Sequence, residues 1–246
     1  MKEKIELNSE AITLRKEFGE DANSPIDIFS LIHNNDDLTI VFYPMSSRVS
    51  GVCIRDGKNK IIGVNSTSTY GRQRFTIAHE LYHLFFHEDF KRVICSTDFE
   101  SNKDPQEKEA DMFASYFLAP YEALSYVIKN KLKKEKQQLE LEDVIKIEQH
   151  FGMSRQAMLW RLVNDEYLTR EKADTMKSRI IASAKRLGYD DTLYTPTPED
   201  KQYATFGKYI KLADEILDSK GVESTEEGSL SDNDKNFIIR KADDIP

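Results

Sequence analysis

The feature that most constrains this chain is the pentapeptide His79-Glu-Leu-Tyr-His83. Residues four apart lie on one face of an α-helix, so both imidazoles can approach a single ion while Glu80 stands beside it. This arrangement is typical of a catalytic zinc site, where three protein ligands leave a fourth position for water. Histidines at this spacing can also be ordinary core or surface residues, so the surrounding sequence has to decide between the two interpretations.

The sequence before the motif predicts a small antiparallel sheet. Three strand-like runs are separated by turn residues that include Asp56-Gly57-Lys58-Asn59: Leu38 to Tyr43, Val49 to Arg55 and Lys60 to Asn65. Ser66, Thr67, Ser68 and Thr69 then offer a helix N-cap, after which apolar residues recur at helical spacing to about His87. We therefore expect the two histidines in the middle of a helix behind a sheet.

A catalytic zinc ion (Zn2+) bound by two histidines needs a third protein ligand. The metzincin pattern would require glycine at 86 and histidine at 89, but the chain has Phe86 and Asp89, which excludes that subclass. His87 continues the series along the same helix, yet it lies about 12 Å along the axis from His79 at 1.5 Å rise per residue. We therefore interpret His87 as a residue that supports a ligand or the structure.

The strongest candidate for the third ligand is Glu107, on a helix predicted from residue 105. Ala110, Asp111 and Ala114 share its face, and the alanines would let this helix approach the histidine helix closely. Asp111 would then orient a ligand imidazole through its free N–H. Glu109 is rotated about 200° from Glu107 and should face elsewhere.

Glu107 also has a purely structural interpretation. Asp104-Pro105-Gln106-Glu107 reads as an N-cap, a proline at N1 and an acid at N3, which together can form a capping box. Both interpretations stay open at this point. The alanine spacing and the aspartate one turn later favour the ligand, because a cap requires neither.

Two blocks of this sequence together resemble the ImmA/IrrE family of zinc-dependent peptidases. They are the run from Arg72 to His87 around the pentapeptide, and Glu107-x-x-Ala-Asp-x-Phe-Ala114 with Leu118-Ala-Pro120. Weaker similarity extends the resemblance to about residues 10–165.

The resemblance implies metal ligands at His79, His83 and Glu107 and a general base at Glu80. It also implies a partner, because such proteins often occur with a helix-turn-helix repressor that they cleave or help to inactivate. The chain departs from the family at Tyr82, where glycine is usual, and this bulk predicts a narrower cleft.

Composition indicates which partners and which cellular compartment to expect. The net charge is −8, which disfavours broad nucleic-acid binding because phosphate contacts need clustered lysine and arginine. No run approaches 18 apolar residues and the N-terminus has no apolar signal core, so we expect neither a membrane span nor secretion. Cys53 and Cys95 are isolated and indicate two ordinary thiols in a reduced, cytoplasmic protein.

The second half of the chain predicts a helix-turn-helix-like module. Two amphipathic stretches within 141–168 meet near Gly152-Met153-Ser154, with Ser154 as the second N-cap. Reading DNA would require Arg155, Gln156 and Arg161 to reach bases or phosphates, but the first stretch is acidic. We therefore favour packing or partner binding over DNA contact. The lysine-rich segment 129–136 indicates a solvated helix end.

Together these signals predict an α+β, zincin-like fold of the gluzincin type, with a helical module and tail added. The predicted parts are a metallopeptidase domain at 1–128, the helical module at 137–186, and a linker, helix and acidic mobile tail at 187–246. The tail's helix is expected at 203–217, from the spacing of its apolar residues.

Three function classes remain open. The first is a zinc endopeptidase acting on a protein partner such as a DNA-binding repressor. The second is a non-proteolytic regulator that sequesters that partner, and the third, weaker one is a direct DNA-binding regulator. The presence of Glu80 favours the enzyme, because a purely structural zinc site is closed by four ligands and needs no adjacent base.

Overall fold

A computed structural model describes residues 1–28, 31, 35, 37–87, 92–96 and 104–207. The helices are α1 Lys4–Glu17, α2 Tyr70–Phe86, α3 Pro105–Leu118, α4 Tyr121–Tyr126, α5 Leu141–Phe151, α6 Arg155–Asn164, α7 Arg170–Thr175 and α8 Ile180–Arg186. The strands are β1 Leu38–Tyr43, β2 Val49–Asp56, β3 Asn59–Asn65, β4 Arg92–Ser96 and β5 Ala204–Gly207. A π-helical turn at Val127–Lys131 follows α4. The fold is α+β, as predicted.

The five strands form one mixed sheet in the order β4-β2-β3-β1-β5. β2 and β3 form the predicted hairpin, with Gly57 at φ 57° in its turn. The prediction of an antiparallel sheet is wrong for β1, which pairs parallel with β3. The alternation of apolar residues indicates which face of a strand is buried, but it does not specify the pairing partner.

Helix α2 lies between the sheet and α3, with α1 packed on α3. Both sides of α2 are therefore covered, and most of its side chains are buried. Gly71 in its first turn lies so close to Ser154 that a Cβ would stand 2.8 Å from the Ser154 nitrogen. Arg74 donates from Nε to the Gly152 carbonyl at 3.0 Å. These contacts attach α2 to the turn between α5 and α6.

Helices α5 and α6 form the predicted pair of amphipathic helices. Gly152 ends α5 in the left-handed region at φ 65°, and the Ser154 side chain caps α6 by accepting from the Ala157 nitrogen. Residues from this pair and from α1, β1, α2 and α3 contribute to one hydrophobic core. Residues 1–208 form one compact unit, and the domain boundaries given above remain predictions.

The two arginines that DNA reading would need lie inside the protein. Arg155 is 1% exposed and its Nε lies 2.5 Å from Glu148 Oε2. Arg161 is fully buried, pairs with Asp165 and donates to the Ala119 carbonyl. Both guanidinium groups therefore join helices within the core instead of facing a ligand.

The C-terminal part of the described chain differs from the sequence prediction. The helix predicted from residue 203 is wrong at its start, because residues 204–207 form β5, antiparallel to β1. Thr197, in the predicted linker, accepts a hydrogen bond from Gln73 of α2 at 3.0 Å. The remainder of that helix and the predicted acidic tail lie outside the described residues. No helix in the described ranges is long and apolar enough to cross a membrane.

Candidate metal centre

The candidate centre is built on α2, which carries His79, Glu80 and His83 at its middle. All three residues are at most 5% exposed, because the sheet and α3 cover the helix. The nitrogen atoms His79 Nε2 and His83 Nε2 lie 3.3 Å apart. The predicted placement of the motif on one helix face behind a sheet is confirmed.

Glu107, in the first turn of α3, brings its carboxylate to both imidazoles. Its Oε2 lies 3.4 Å from His79 Nε2, and its Oε1 lies 3.3 Å from His83 Nε2. The cap of α3 is provided by Asp104, whose side chain accepts from the Gln106 nitrogen at 3.1 Å. Glu107 thus faces the histidines, while its role as a ligand stays a prediction.

The spacing of these three donors suits one ion. Ligand atoms about 2.0–2.1 Å from zinc at tetrahedral angles lie about 3.3–3.4 Å from one another. The two imidazole nitrogens, 3.3 Å apart, match that value, and each has a different oxygen of the Glu107 carboxylate at a similar distance, Oε2 at 3.4 Å from His79 and Oε1 at 3.3 Å from His83. Two imidazole nitrogens and a carboxylate are also ligands that zinc accepts. The residues present therefore fit a zinc ion.

Each histidine presents Nε2 to the other donors and contacts a further side chain through Nδ1. His79 Nδ1 lies 2.9 Å from Asp111 Oδ1, and both side chains are under 8% exposed. His83 Nδ1 lies 3.3 Å from His87 Nδ1. An Nδ1–H donated to the Asp111 carboxylate fixes the tautomer that leaves Nε2 free to bind a metal. Asp111 and His87 thus lie where residues that orient ligands are expected.

Glu109 and Tyr82 face away from this group. The Tyr82 hydroxyl donates to Glu109 Oε2 at 2.7 Å, and its ring packs against Phe113 with centroids 5.3 Å apart. The predicted rotation of Glu109 away from Glu107 is confirmed. The bulk of Tyr82, predicted to narrow the cleft, is directed into the packing between α2 and α3.

Glu80 is fully buried, and burial raises the pKa of its carboxyl group, opposed by the charges of His79 and His83. Both oxygens lack a hydrogen bond of acceptable geometry within the described residues. The thiols of Cys95 and Cys53 lie near enough to act against the rise in pKa. Glu80 is thus a buried carboxylate whose nearby donors are thiols, which are weak hydrogen-bond donors.

Cys95 lies in the candidate centre, which differs from its interpretation as an ordinary thiol, whereas that interpretation of Cys53 stays a prediction. One donor atom each from His79, His83, Glu107 and Cys95 lie within 4.8 Å of one another, a group that could hold a metal ion. Burial raises the pKa of the Cys95 thiol to about 12. The short strand β4 carries Cys95, and its position in the chain between the motif helix and Glu107 is the signal that could have identified it.

The histidines and Glu107 influence one another's charge. Burial acts to lower the pKa of His79, but hydrogen bonds with Asp111, Cys95 and Glu107 raise it well above its usual value. Burial acts to raise the pKa of Glu107, and the two histidines lower it well below its usual range. Without a metal the site therefore favours an ionised Glu107, which is the form that binds a cation, and a protonated His79, which has to lose a proton to bind one.

Hydrolysis of a peptide bond also needs a donor for the developing oxyanion, and the sequence offers Tyr116, Tyr121 and His150 as candidates. The Arg161 Cζ atom lies 4.0 Å from the centroid of the Tyr116 ring, and Tyr116 is 2% exposed. That contact gives Tyr116 a packing role. Tyr121 and His150 remain candidates.

Comparison with known proteins adds two findings. The family Peptidase_M78, described as the IrrE N-terminal-like domain, matches residues 37–163, just over half of the chain. A curated relative, the radiation response metalloprotease IrrE of Deinococcus deserti, is 40% identical over 57 residues. That match covers 23% of this chain and 19% of the relative's length.

Proposed function

The chain belongs to the Peptidase_M78 family, and from that premise we propose that it is a zinc-dependent endopeptidase acting on a specific protein partner. Family membership supports a metallopeptidase in general terms. The identity of the metal, the ligand set and the substrate are parts of the proposal. Its proposed setting is the cytoplasm, where thiols such as those of Cys53 and Cys95, which form no disulfide, stay reduced.

One observation carries the proposal: the Nε2 atoms of His79 and His83 lie 3.3 Å apart, and the Glu107 carboxylate places one oxygen 3.3–3.4 Å from each of them. We assign these three residues as zinc ligands because their separations are those of ligands sharing one ion. Three protein ligands leave a position for a reacting molecule, as catalytic zinc sites require.

Zinc in such a site supplies Lewis acidity, which lowers the pKa of water towards about 7 and polarises a carbonyl. Glu80 accepts the proton from the attacking water and delivers it to the amine that leaves when the peptide bond breaks. Asp111 holds the His79 ring through the 2.9 Å contact at Nδ1. The cover provided by the sheet and α3 keeps bulk water away from Glu80.

We propose a helix-turn-helix repressor as the partner, following the resemblance noted from the sequence. The α5–α6 pair supplies the docking part in this proposal. Its core is shared with α2 and α3, so a partner held there would keep a fixed position relative to the metal centre. Fixed docking would allow the cleft to act on whichever extended segment the partner presents.

The name of the Deinococcus deserti relative connects that protein with the radiation response. We infer that cleavage by this chain likewise relieves repression under stress or in a mobile element. An extended segment would be recognised by main-chain pairing with a sheet edge, which demands no single sequence. Selectivity would then come from docking and not from the cleft.

The decisive experiment compares the wild-type protein with Glu80→Gln on a helix-turn-helix repressor identified by sequencing the neighbouring genes. Glu80 is not a ligand in this proposal, so the variant should keep zinc and fold while losing the base that activates water. We expect discrete repressor fragments with wild type, detected by mass spectrometry, and none with Glu80→Gln. Chelation of the metal should also prevent cleavage.

A partner-binding measurement provides the control, because Glu80→Gln should bind the repressor as wild type does. Unrelated unfolded proteins should be cut poorly. Equal relief of repression by wild type and Glu80→Gln, without fragments, would replace the peptidase with the sequestering regulator.

A further inference from the structure

Cys95 is the fourth donor beside the three proposed ligands. Its thiol sulfur belongs to the group of four donor atoms within 4.8 Å of one another. Thiolate, imidazole and carboxylate are all zinc ligands, and four protein ligands give a closed site. A closed site has no position for water, so Cys95 bears directly on whether the centre can react.

Cys95 lies on β4 beside an irregularity in the pairing of β2 with β4. Val49 pairs with Ser96 while Gly51 pairs with Cys95, so the register shifts at Ser50. The Ser50 hydroxyl donates to the Cys95 carbonyl at 3.1 Å and holds the shifted backbone. Such bulges re-aim a side chain, often next to an active site.

The surroundings of Glu80 provide a second observation that points to a ligand at the same place. A Cβ on Gly51 would stand 2.9 Å from Glu80 Oε1, so the carboxylate reaches the backbone of the residue paired with Cys95. Both oxygens are buried, and within the described residues neither has a hydrogen bond of acceptable geometry. The hydrogen-bonding side chains near it are the thiols of Cys95 and Cys53, which are weak donors, so a buried carboxylate here still lacks a strong partner and a bound molecule is expected beside it.

We propose that Cys95 binds the metal as a thiolate and becomes a fourth protein ligand, which leaves no position for a reacting water, so that the loaded protein has a latent, closed state. This inference rests on the proposed zinc site. The thiol gives up its proton to solvent when it binds. Glu80 has no role in a permanently closed site, so its presence indicates that Cys95 leaves when the centre becomes active.

The position of β4 allows such an exchange. β4 pairs only with β2 in the described sheet and forms one of its edges. A shift of an edge strand breaks one set of pairings and leaves β2, β3 and β1 intact. The latent and active states would therefore differ at β4 while α2 and α3 keep their places.

The test is X-ray absorption at the zinc edge on the full-length, zinc-loaded protein. A zinc–sulfur bond is about 2.3 Å long, whereas bonds to nitrogen and oxygen are about 2.0–2.2 Å. We expect one sulfur per zinc in wild type and none in Cys95→Ser. Cys53→Ala is the matched control, since Cys53 is also buried near Glu80 yet stands outside the donor group. It should keep the sulfur.

Zinc bound by nitrogen and oxygen alone in wild type would overturn the inference, even if Cys95→Ser did not fold. Loss of sulfur in Cys53→Ala with retention in Cys95→Ser would overturn the assignment of the residue. Cleavage of the repressor should be faster with Cys95→Ser than with wild type, and equal rates would refute latency.

The same measurements separate this inference from the proposed function. Cleavage by a wild type whose zinc has no sulfur neighbour would leave the peptidase standing and remove the role of Cys95. Sulfur at zinc with no cleavage by either protein would refute the peptidase and keep Cys95 as the fourth ligand of a closed site.

Discussion

Replacement of Asp111 tests whether the zinc affinity of the candidate centre depends on the carboxylate that contacts His79. Asp111 Oδ1 lies 2.9 Å from His79 Nδ1, and the two side chains are 7% and 6% exposed. Solvent therefore screens their interaction little. Removing a group that orients a metal-binding histidine typically lowers metal affinity about 10–100-fold, which equals about 1.4–2.8 kcal/mol.

Two substitutions separate the contribution of the Asp111 charge from that of its hydrogen bond to His79. Asp111→Asn keeps an oxygen that can accept from Nδ1 but removes the charge, and charge-assisted hydrogen bonds are about twice as strong as neutral ones. We expect Asp111→Asn near the lower end of the range and Asp111→Ala near the upper end. Zinc affinity is measured by competition with a chromophoric chelator, with far-UV circular dichroism to verify the fold.

Glu109→Gln is the matched control for the loss of an acid on the same helix. Glu109 accepts from the Tyr82 hydroxyl on another face of α3, and glutamine can still accept there. Its zinc affinity should equal that of wild type. Wild-type affinity in Asp111→Ala, or an equal loss in Glu109→Gln, would refute the assignment of Asp111.

Three further predictions concern the ligand, the core and the base. Glu107→Gln should lower zinc affinity strongly in the same chelator assay without loss of fold, because it removes the anionic oxygens that lie 3.3–3.4 Å from the Nε2 atoms of His79 and His83. Unchanged zinc affinity would mean that Glu107 has a structural role only. Arg161→Met should lower the free energy of unfolding in urea by about 3–5 kcal/mol, since it leaves a buried charge unpaired, whereas exposed Arg170→Met should stay within about 0.5 kcal/mol. Gly51→Ala should cost about 1–3 kcal/mol by overpacking and reduce the rate of repressor cleavage with zinc retained, because its Cβ would stand 2.9 Å from Glu80 Oε1; an unchanged rate would count against the position assigned to Glu80.

Local sequence patterns were sufficient for the elements that carry most of the site. The helix spacing around His79 and His83 and the turn at residues 56–59 led to α2 and to the β2–β3 hairpin. The face shared by Glu107 and Asp111 predicted their common approach to α2. These features depend on residues within one or two helical turns, where spacing fixes direction.

The remaining features depend on contacts between distant segments. Cys95 joins the donor group because β4 pairs with β2 in a shifted register, 45 residues away at Ser50. The parallel pairing of β1 with β3 and the antiparallel pairing of β5 with β1 are likewise set by the whole sheet. The apolar spacing after residue 203 suits a helix locally, but pairing with β1 makes 204–207 a strand.

The antiparallel pairing of β5 with β1 has a consequence for the solubility of shortened chains. Residues 204–207 cover the main-chain donors and acceptors along one side of β1, with Phe206 against Phe42 at 5.8 Å between ring centroids. A chain cut before Ala204 would present that side as an unpaired edge, and such edges template pairing between molecules. Aggregation of such a truncated protein would then follow from exposing one side of β1, which lies apart from the candidate metal centre on α2 and α3.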